Sequence, residues 1–79
     1  MSRMTAPATF GTVLREAREQ ARMPADKLAR VAGVSLNTVK YLESDLHSPK
    51  LSVVFKLAAA LGIPAGRLVG RMAVPVGGK

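Results

Sequence analysis

Prolines and glycines divide the middle of this chain into short segments, and each segment has the periodicity of an amphipathic helix. Pro24 ends one segment, Gly33 and Gly62 end two others, and Pro49 lies in a turn-rich connection. No segment shows the alternation of apolar and polar residues that is typical of a strand. A chain of 79 residues has room for one small core. The sequence therefore predicts an all-α fold of five helices.

The first helix is predicted to start after Thr9, whose hydroxyl can cap it, and to end at Met23-Pro24. Its apolar stripe has helical spacing and comprises Phe10, Val13, Leu14, Ala17 and Ala21. On the opposite face, Arg15 and Glu19 have the spacing of an i, i+4 ion pair. Residues 1–8 show no periodicity, and we expect them to form a flexible arm.

A second and a third helix, joined by a tight turn, are predicted next. Pro24 suits the first position of the second helix, where its missing N–H costs nothing, and Gly33 ends this helix. The apolar face of the second helix comprises Leu28, Val31 and Ala32. Ser35 is the expected cap of the third helix, which spans about residues 35–43.

The third helix has two different faces. Val39 and Leu42 are expected to face the core. The other side presents Leu36, Asn37, Lys40 and Tyr41. Because a helix of barely two turns exposes these side chains together, this face is suited to contacting a partner. The alternative is an ordinary solvated face, which suits the two polar residues but leaves the exposure of Leu36 and Tyr41 unexplained.

The fourth helix, from Leu51 to Leu61, is apolar nearly all round, and we expect it to be the most buried element. Gly62 ends it, and a last short helix is predicted over residues 65–69. The folded domain is expected to cover residues 9–70. Residues 71–79 contain a proline and adjacent glycines and are expected to be a loose tail.

Charge indicates the class of partner. Twelve Lys and Arg stand against five Asp and Glu, a formal net charge of +7, which favours nucleic acid first and a membrane surface second. A basic balance is also common in small proteins without such a partner. Aromatic residues make up only 4% of the chain, which argues against RNA and single strands, since these are commonly bound by stacking on aromatic rings.

Several kinds of site are not expected. The chain has no cysteine and one histidine, His47, so disulfides, a thiolate nucleophile and most metal sites are excluded. Paired carboxylates and a glycine-rich phosphate loop are also missing, so we expect no enzyme activity, no cofactor and no metal. No apolar run suits a signal peptide or a membrane span, and we expect a soluble cytoplasmic protein.

The second and third helices match the helix-turn-helix motif, whose second helix lies in the major groove of DNA. From Phe10 to Val69 the chain also resembles the phage-repressor and Cro-like (xenobiotic response element type) helix-turn-helix proteins. The matching residues are Leu14-Arg15-x-x-Arg18, Leu28-Ala29-x-x-Ala32-Gly33-Val34-Ser35, Val39-x-x-Leu42-Glu43, Pro49, and Leu57-Ala58-x-x-Leu61-Gly62-Ile63. The resemblance implies a compact repressor-like domain that binds double-stranded DNA and regulates transcription. We expect repression, because no second domain is available to bind a metabolite or recruit polymerase.

The resemblance implies that base edges are contacted by Leu36, Asn37, Lys40 and Tyr41, with Thr38 joining them in some family members. Asn37 can pair with adenine, and Lys40 can donate to guanine or to a phosphate. Leu36 and Tyr41 would supply apolar contact, for example to a thymine methyl. The resemblance also implies an ion pair between Arg18 and Glu43, which we interpret as structural.

The phosphate contacts depart from the family pattern. Pro24 and Ala25 stand where family members often have a polar residue, so that contact is expected to be missing or replaced by a backbone N–H. Asp45 can adopt a left-handed turn but removes positive charge from the following loop. Phosphate contacts are expected at Arg15, Lys27, Arg30, Ser35, Ser44 and Lys50, each of which could equally be an ordinary surface residue.

Assembly and partner choice leave alternatives open. We expect a homodimer on a two-fold symmetric operator. Its contacts could include Leu46, Ile63, Leu68, Val69 and Met72, although Ile63 and Leu68 could instead close the core. One alternative function is an antitoxin or controller protein that binds its own promoter and also a protein partner. Another is a helical module whose Leu36 and Tyr41 bind protein rather than DNA.

Overall fold

The computed structural model describes residues 9–69 as five helices. The helices are α1 (Phe10–Gln20), α2 (Ala25–Ala32), α3 (Leu36–Glu43), α4 (Leu51–Leu61) and α5 (Ala65–Val69). The described part contains no strand, and the prediction of an all-α, five-helix fold is confirmed. The predictions of a flexible arm over residues 1–8 and a loose tail over residues 71–79 fall outside the described residues.

Side-chain caps start two of the helices at the predicted residues. The Thr9 hydroxyl accepts the Thr12 backbone N–H at 3.2 Å, and the Ser35 hydroxyl accepts the Thr38 N–H at 3.0 Å. The second helix starts one residue later than predicted. Pro24 has an extended backbone (φ −64°, ψ 155°) and is the N-cap residue of α2 rather than its first helical residue.

Four helices end in the same way. A residue in the left-handed conformation follows each helix, and the next N–H donates to a carbonyl five residues back. The left-handed residues are Arg22, Gly33, Asp45 and Gly62, with φ between 56° and 76°. The prediction that α1 continues to Met23 is therefore wrong. The helix ends at Gln20, because Arg22 turns the chain and the Met23 N–H bonds the Arg18 carbonyl at 3.1 Å.

One apolar core joins the helices, with α1 packed on α3 and α5, and α2 packed on α3 and α4. The most deeply buried side chains are Leu14, Leu28, Val39, Leu57 and Leu68. The predicted inner face of α2 is wrong at Val31, which is 53% exposed. Ala29 is buried in its place, since the core contacts of α2 centre on Leu28, Ala29 and Ala32.

The fourth helix is not the most buried element, contrary to prediction. Its Val54, Leu57 and Ala58 face the core, whereas Leu51 is 67% and Phe55 56% exposed. Apolar residues around the whole circumference predicted burial on all sides, but neighbouring elements cover only one side of α4. In contrast, α5 closes the core through fully buried Leu68. In the described part of the chain, every helix is too short or too polar to cross a membrane.

Candidate nucleic-acid interface

The predicted partner-contacting residues lie together on the outer side of α3. Val39 and Leu42 are buried, so the 100° spacing of a helix turns the opposite side toward solvent. Leu36, Asn37, Lys40 and Tyr41 are exposed there, and Leu36 and Tyr41 retain 37% and 42% of their accessible surface. Thr38 is half-buried at the edge of this face, with its hydroxyl 2.8 Å from that of Ser35. The α3 face thus combines amide, ammonium, hydroxyl and apolar groups on one short helix.

A bidentate ion pair holds α3 against α1. The Arg18 guanidinium donates from Nε to Glu43 Oε2 at 2.6 Å and from Nη2 to Oε1 at 3.1 Å. Its Nη1 also donates to the Met23 carbonyl at 3.0 Å. The hydrogen bond to Glu43 raises the pKa of Arg18 above its ordinary value, although partial burial opposes the rise. Arg18 is therefore charged throughout the working range of pH, and it links the two helices and the α1–α2 turn.

A second contact, which the sequence analysis missed, joins the start of α1 to the end of α3. The Gly11 N–H donates to Asp45 Oδ1 at 3.0 Å. A Cβ atom on Gly11 would lie 2.6 Å from the carbonyl oxygens of both Leu42 and Glu43. Only glycine allows this approach, which brings the positive end of the α1 dipole to the negative end of α3. A glycine in the first turn of a helix, two residues after its threonine cap, was the available signal.

Arg15 lies against the same end of α3. Its Nη2 donates to the Glu43 carbonyl at 3.4 Å, and its Nε is 3.8 Å from Glu43 Oε1. The expected Arg15–Glu19 pair is therefore replaced by a contact with Glu43, because α3 packs on this face of α1. The Arg15 side chain keeps 52% of its surface exposed.

The other residues predicted to contact phosphate are exposed. Lys27 and Arg30 lie on α2, Ser35 caps the start of α3, Ser44 follows its end, and Lys50 precedes α4. The N-terminus of α2 has no side-chain cap, which leaves its first N–H groups available. Within residues 9–69, no group of three or more histidine and acidic side chains is placed to hold a metal ion.

A match to a family model shows which protein family this chain belongs to. The helix-turn-helix family model HTH_3 matches residues 14–68, which is most of the described domain. The chain belongs to this helix-turn-helix family. Among curated proteins, no sequence matches significantly.

Solved helix-turn-helix structures have the same fold. The restriction-modification controller protein C.AhdI from Aeromonas hydrophila is 32% identical, with a TM-score of 0.73 over 75% of this chain and 89% of that one. The hypothetical transcription factor NHTF from Neisseria is 26% identical, with a TM-score of 0.72 over 95% of this chain and 87% of that one. The P22 c2 repressor, in complex with a synthetic operator, is 21% identical, with a TM-score of 0.71 over 77% of this chain and 92% of that one.

Membership of the helix-turn-helix family identifies α2 and α3 as the two helices of the motif, joined by the turn at Gly33. The chain is a DNA-binding transcriptional regulator of this family. The exposed face of α3 thus belongs to the second helix of the motif.

Proposed function

We propose that this protein is a sequence-specific repressor that reads double-stranded DNA with α3 in the major groove. The main support for this proposal is the α3 face. Two apolar and two polar side chains are exposed together there, on a helix that is fixed against α1. The contacts of Arg18 with Glu43 and of Gly11 with Asp45 hold α3 from the α1 side. A recognition helix held in this way keeps its side chains in register with the base edges.

The α3 face offers a different contact to each kind of base. The Asn37 amide can pair in a bidentate manner with adenine, and the Lys40 ammonium can donate to guanine. Leu36 and Tyr41 can pack against thymine methyl groups, and the Thr38 hydroxyl can contact a base from the edge of the face. These five residues are the proposed base contacts.

The proposed phosphate contacts lie on α1, on α2, at the two ends of α3 and just before α4. Lys27 and Arg30 on α2 suit phosphates of the DNA strand that the first helix of the motif crosses. The uncapped N–H groups at the start of α2 suit the same strand. Ser35, Ser44 and Lys50 suit phosphates at the two ends of α3, and Arg15 suits one near the end of α1. These contacts would position the domain on DNA without reading sequence.

We propose further that the protein acts as a homodimer through an α4 apolar surface formed by Leu46, Leu51 and Phe55. These are the three most exposed large apolar side chains of the described residues, and Leu51 and Phe55 lie one turn apart on α4. Ser52 and Ala59 extend the outward side of α4, and exposed Lys56 lies one turn from each of them, so each copy brings one positive charge beside the apolar surface. The earlier candidates Ile63 and Leu68 pack into the core instead, and Met72 lies outside the described residues.

The size of the domain suits a symmetric pair on DNA. The described part measures 34 × 32 × 23 Å. Two copies packed side by side have their centres about one molecular width apart, which is comparable with the spacing of about 34–36 Å between successive major grooves on one side of the duplex.

Repression is tested with a reporter gene whose promoter contains a site selected by this protein. Expression of the protein should lower reporter output, and a scrambled site or the Asn37→Ala variant should restore it. Increased output with the intact site would instead indicate an activator.

A controller protein is the second candidate, and the 32% identity to C.AhdI over three quarters of the chain favours it. A controller or antitoxin would bind its own promoter. The same reporter, driven by the DNA upstream of this reading frame, distinguishes this candidate from a regulator of other genes. Regulation through that DNA, abolished by Asn37→Ala, would support autoregulation, and its absence would contradict it.

A further inference from the structure

A cleft of about 370 Å³ lies beside the α3 face, between α3 and the loop that leads to α4. Thr38 and Tyr41 line its α3 side, and His47, Ser48 and Lys50 line its loop side. Buried Leu42 and half-buried Pro49 contribute apolar surface. The cleft thus combines apolar surface with hydroxyl, imidazole and ammonium groups, directly next to a proposed base-contacting residue.

The turn at Asp45 builds this cleft. Its left-handed conformation (φ 59°) reverses the chain, and the Leu46 N–H donates to the Tyr41 carbonyl at 2.9 Å. The chain therefore returns alongside the last turn of α3, and the His47 ring meets the Tyr41 ring edge-on. The ring centroids are 5.1 Å apart and the planes are inclined at 66°. This is a favourable geometry for two aromatic rings, and it places the His47 ring against one side of Tyr41, which is 42% exposed.

The charges around the cleft favour an anion. Both acidic residues at the end of α3 contact α1: Glu43 binds Arg18, and Asp45 accepts the Gly11 N–H. No acidic residue lines the cleft, whereas Lys50 does. Asp45 was expected to remove positive charge from this loop. Its carboxylate is instead partly compensated by the positive end of the α1 dipole.

We infer that this cleft receives one phosphodiester of the DNA backbone, next to the bases that α3 contacts, and that His47 is a positioning residue for Tyr41. The inference rests on the proposed function. Lys50 supplies the charge, the Ser48 hydroxyl and a His47 ring N–H supply hydrogen-bond donors, and half-buried Pro49 packs against the adjoining deoxyribose. The same contacts that hold the phosphate thus hold the ring that reads the neighbouring base.

The phosphodiester is tested with duplexes of the selected site in which single phosphates are replaced in turn by uncharged methylphosphonates. One replacement should weaken binding of the wild-type protein about tenfold or more, the effect of losing a hydrogen bond to a charged group. With Lys50→Met, the same replacement should have much less effect, whereas with the exposed control Lys56→Met it should act as in the wild type. If Lys50→Met responds to every replacement as the wild type does while the site is still selected, the cleft inference is wrong and the proposed function stands.

A free nucleotide or inorganic phosphate has the same chemistry and is distinguished by titration in the absence of DNA. Chemical shifts of His47 and Tyr41 are followed as thymidine monophosphate or phosphate is added. The inference expects no saturation at micromolar ligand, because the cleft is open and has one charged donor. Saturation at micromolar concentration, lost in Lys50→Met, would assign the cleft to a small molecule and overturn the inference.

The positioning role of His47 is tested by base preference rather than by affinity alone. His47→Ala should broaden the preference at the base position that Tyr41→Ala also broadens. His47→Phe keeps a ring against Tyr41 but no N–H, so it should retain that preference while binding all sequences more weakly. An unchanged base preference in His47→Ala would remove the positioning role. If no sequence is selected even by the wild-type protein, the proposed function fails before the cleft is tested.

Discussion

At Gly11 the backbone of α1 lies directly against the last carbonyl groups of α3. A methyl group there would lie 2.6 Å from two carbonyl oxygens, and these cannot move without separating the helices. Gly11→Ala should therefore lower the free energy of unfolding by about 1–3 kcal/mol, the usual effect of overpacking. Chemical denaturation measures it. The control is Gly66→Ala on α5, where nothing lies within 4 Å and a modest gain of up to about 1 kcal/mol is expected. Equal effects of the two substitutions would contradict the close approach at Gly11.

Asn37 is a proposed base contact and Arg30 a proposed phosphate contact. Substituting each residue should therefore have a different effect on DNA binding. Asn37→Ala removes a base contact, so it should cost about 1–3 kcal/mol on the selected site and relax the preference at one base position. Arg30→Met removes a phosphate contact, so it should weaken binding to all sequences alike. It should also lower the slope of log affinity against log salt concentration by about one. Binding titrations on matched and substituted duplexes at several salt concentrations measure both. A uniform loss in Asn37→Ala would contradict its place among the base contacts.

At the scale of elements, the ion pair between Arg18 and Glu43 connects α1 to the recognition helix. The two side chains are only 17% and 10% exposed, so solvent screens the pair less than a surface pair. A double-mutant cycle with Arg18→Met and Glu43→Gln should give a coupling energy of about 1–3 kcal/mol in stability. Both single variants should also lose affinity for the selected site, because α3 would be held less firmly. Additive effects on stability would show that the pair does not join the helices.

The helix boundaries show what can be read from sequence and what cannot. Thr9, Ser35, Gly33 and Gly62 act at their predicted positions because caps and glycine turns are determined locally. Arg22 has no such local signature, since arginine rarely adopts a left-handed conformation, and the end of α1 was accordingly predicted too late.

Packing between elements was the other source of error. The outward sides of α2 and α4 depend on which neighbours cover them, and periodicity alone does not contain that information. Val31, Leu51 and Phe55 were expected to be buried for this reason, and all three are exposed. The face of α3 was predicted correctly, because buried Val39 and Leu42 already determine which side points outward.

At the scale of the whole molecule, the α4 apolar surface determines the proposed assembly. Phe55→Glu places a charge at its centre and should shift the protein from dimer to monomer, because burying an unpaired carboxylate is costly. Analytical ultracentrifugation over a range of concentrations measures the change. Val31→Glu is the matched control, since it replaces a similarly exposed apolar residue on α2 and should leave the dimer intact. A dimer that survives Phe55→Glu but dissociates in Val31→Glu would place the interface on α2.

We propose that two copies of α3 read DNA sequence together, and selection from a random duplex library shows whether they do. The retained molecules are sequenced after repeated binding to the purified protein. Two-fold symmetric binding should enrich a two-fold symmetric sequence whose half-sites are about 10–10.5 base pairs apart. Salt-sensitive binding without any enriched sequence would contradict it, because the net charge of +7 would then be acting on the phosphates alone.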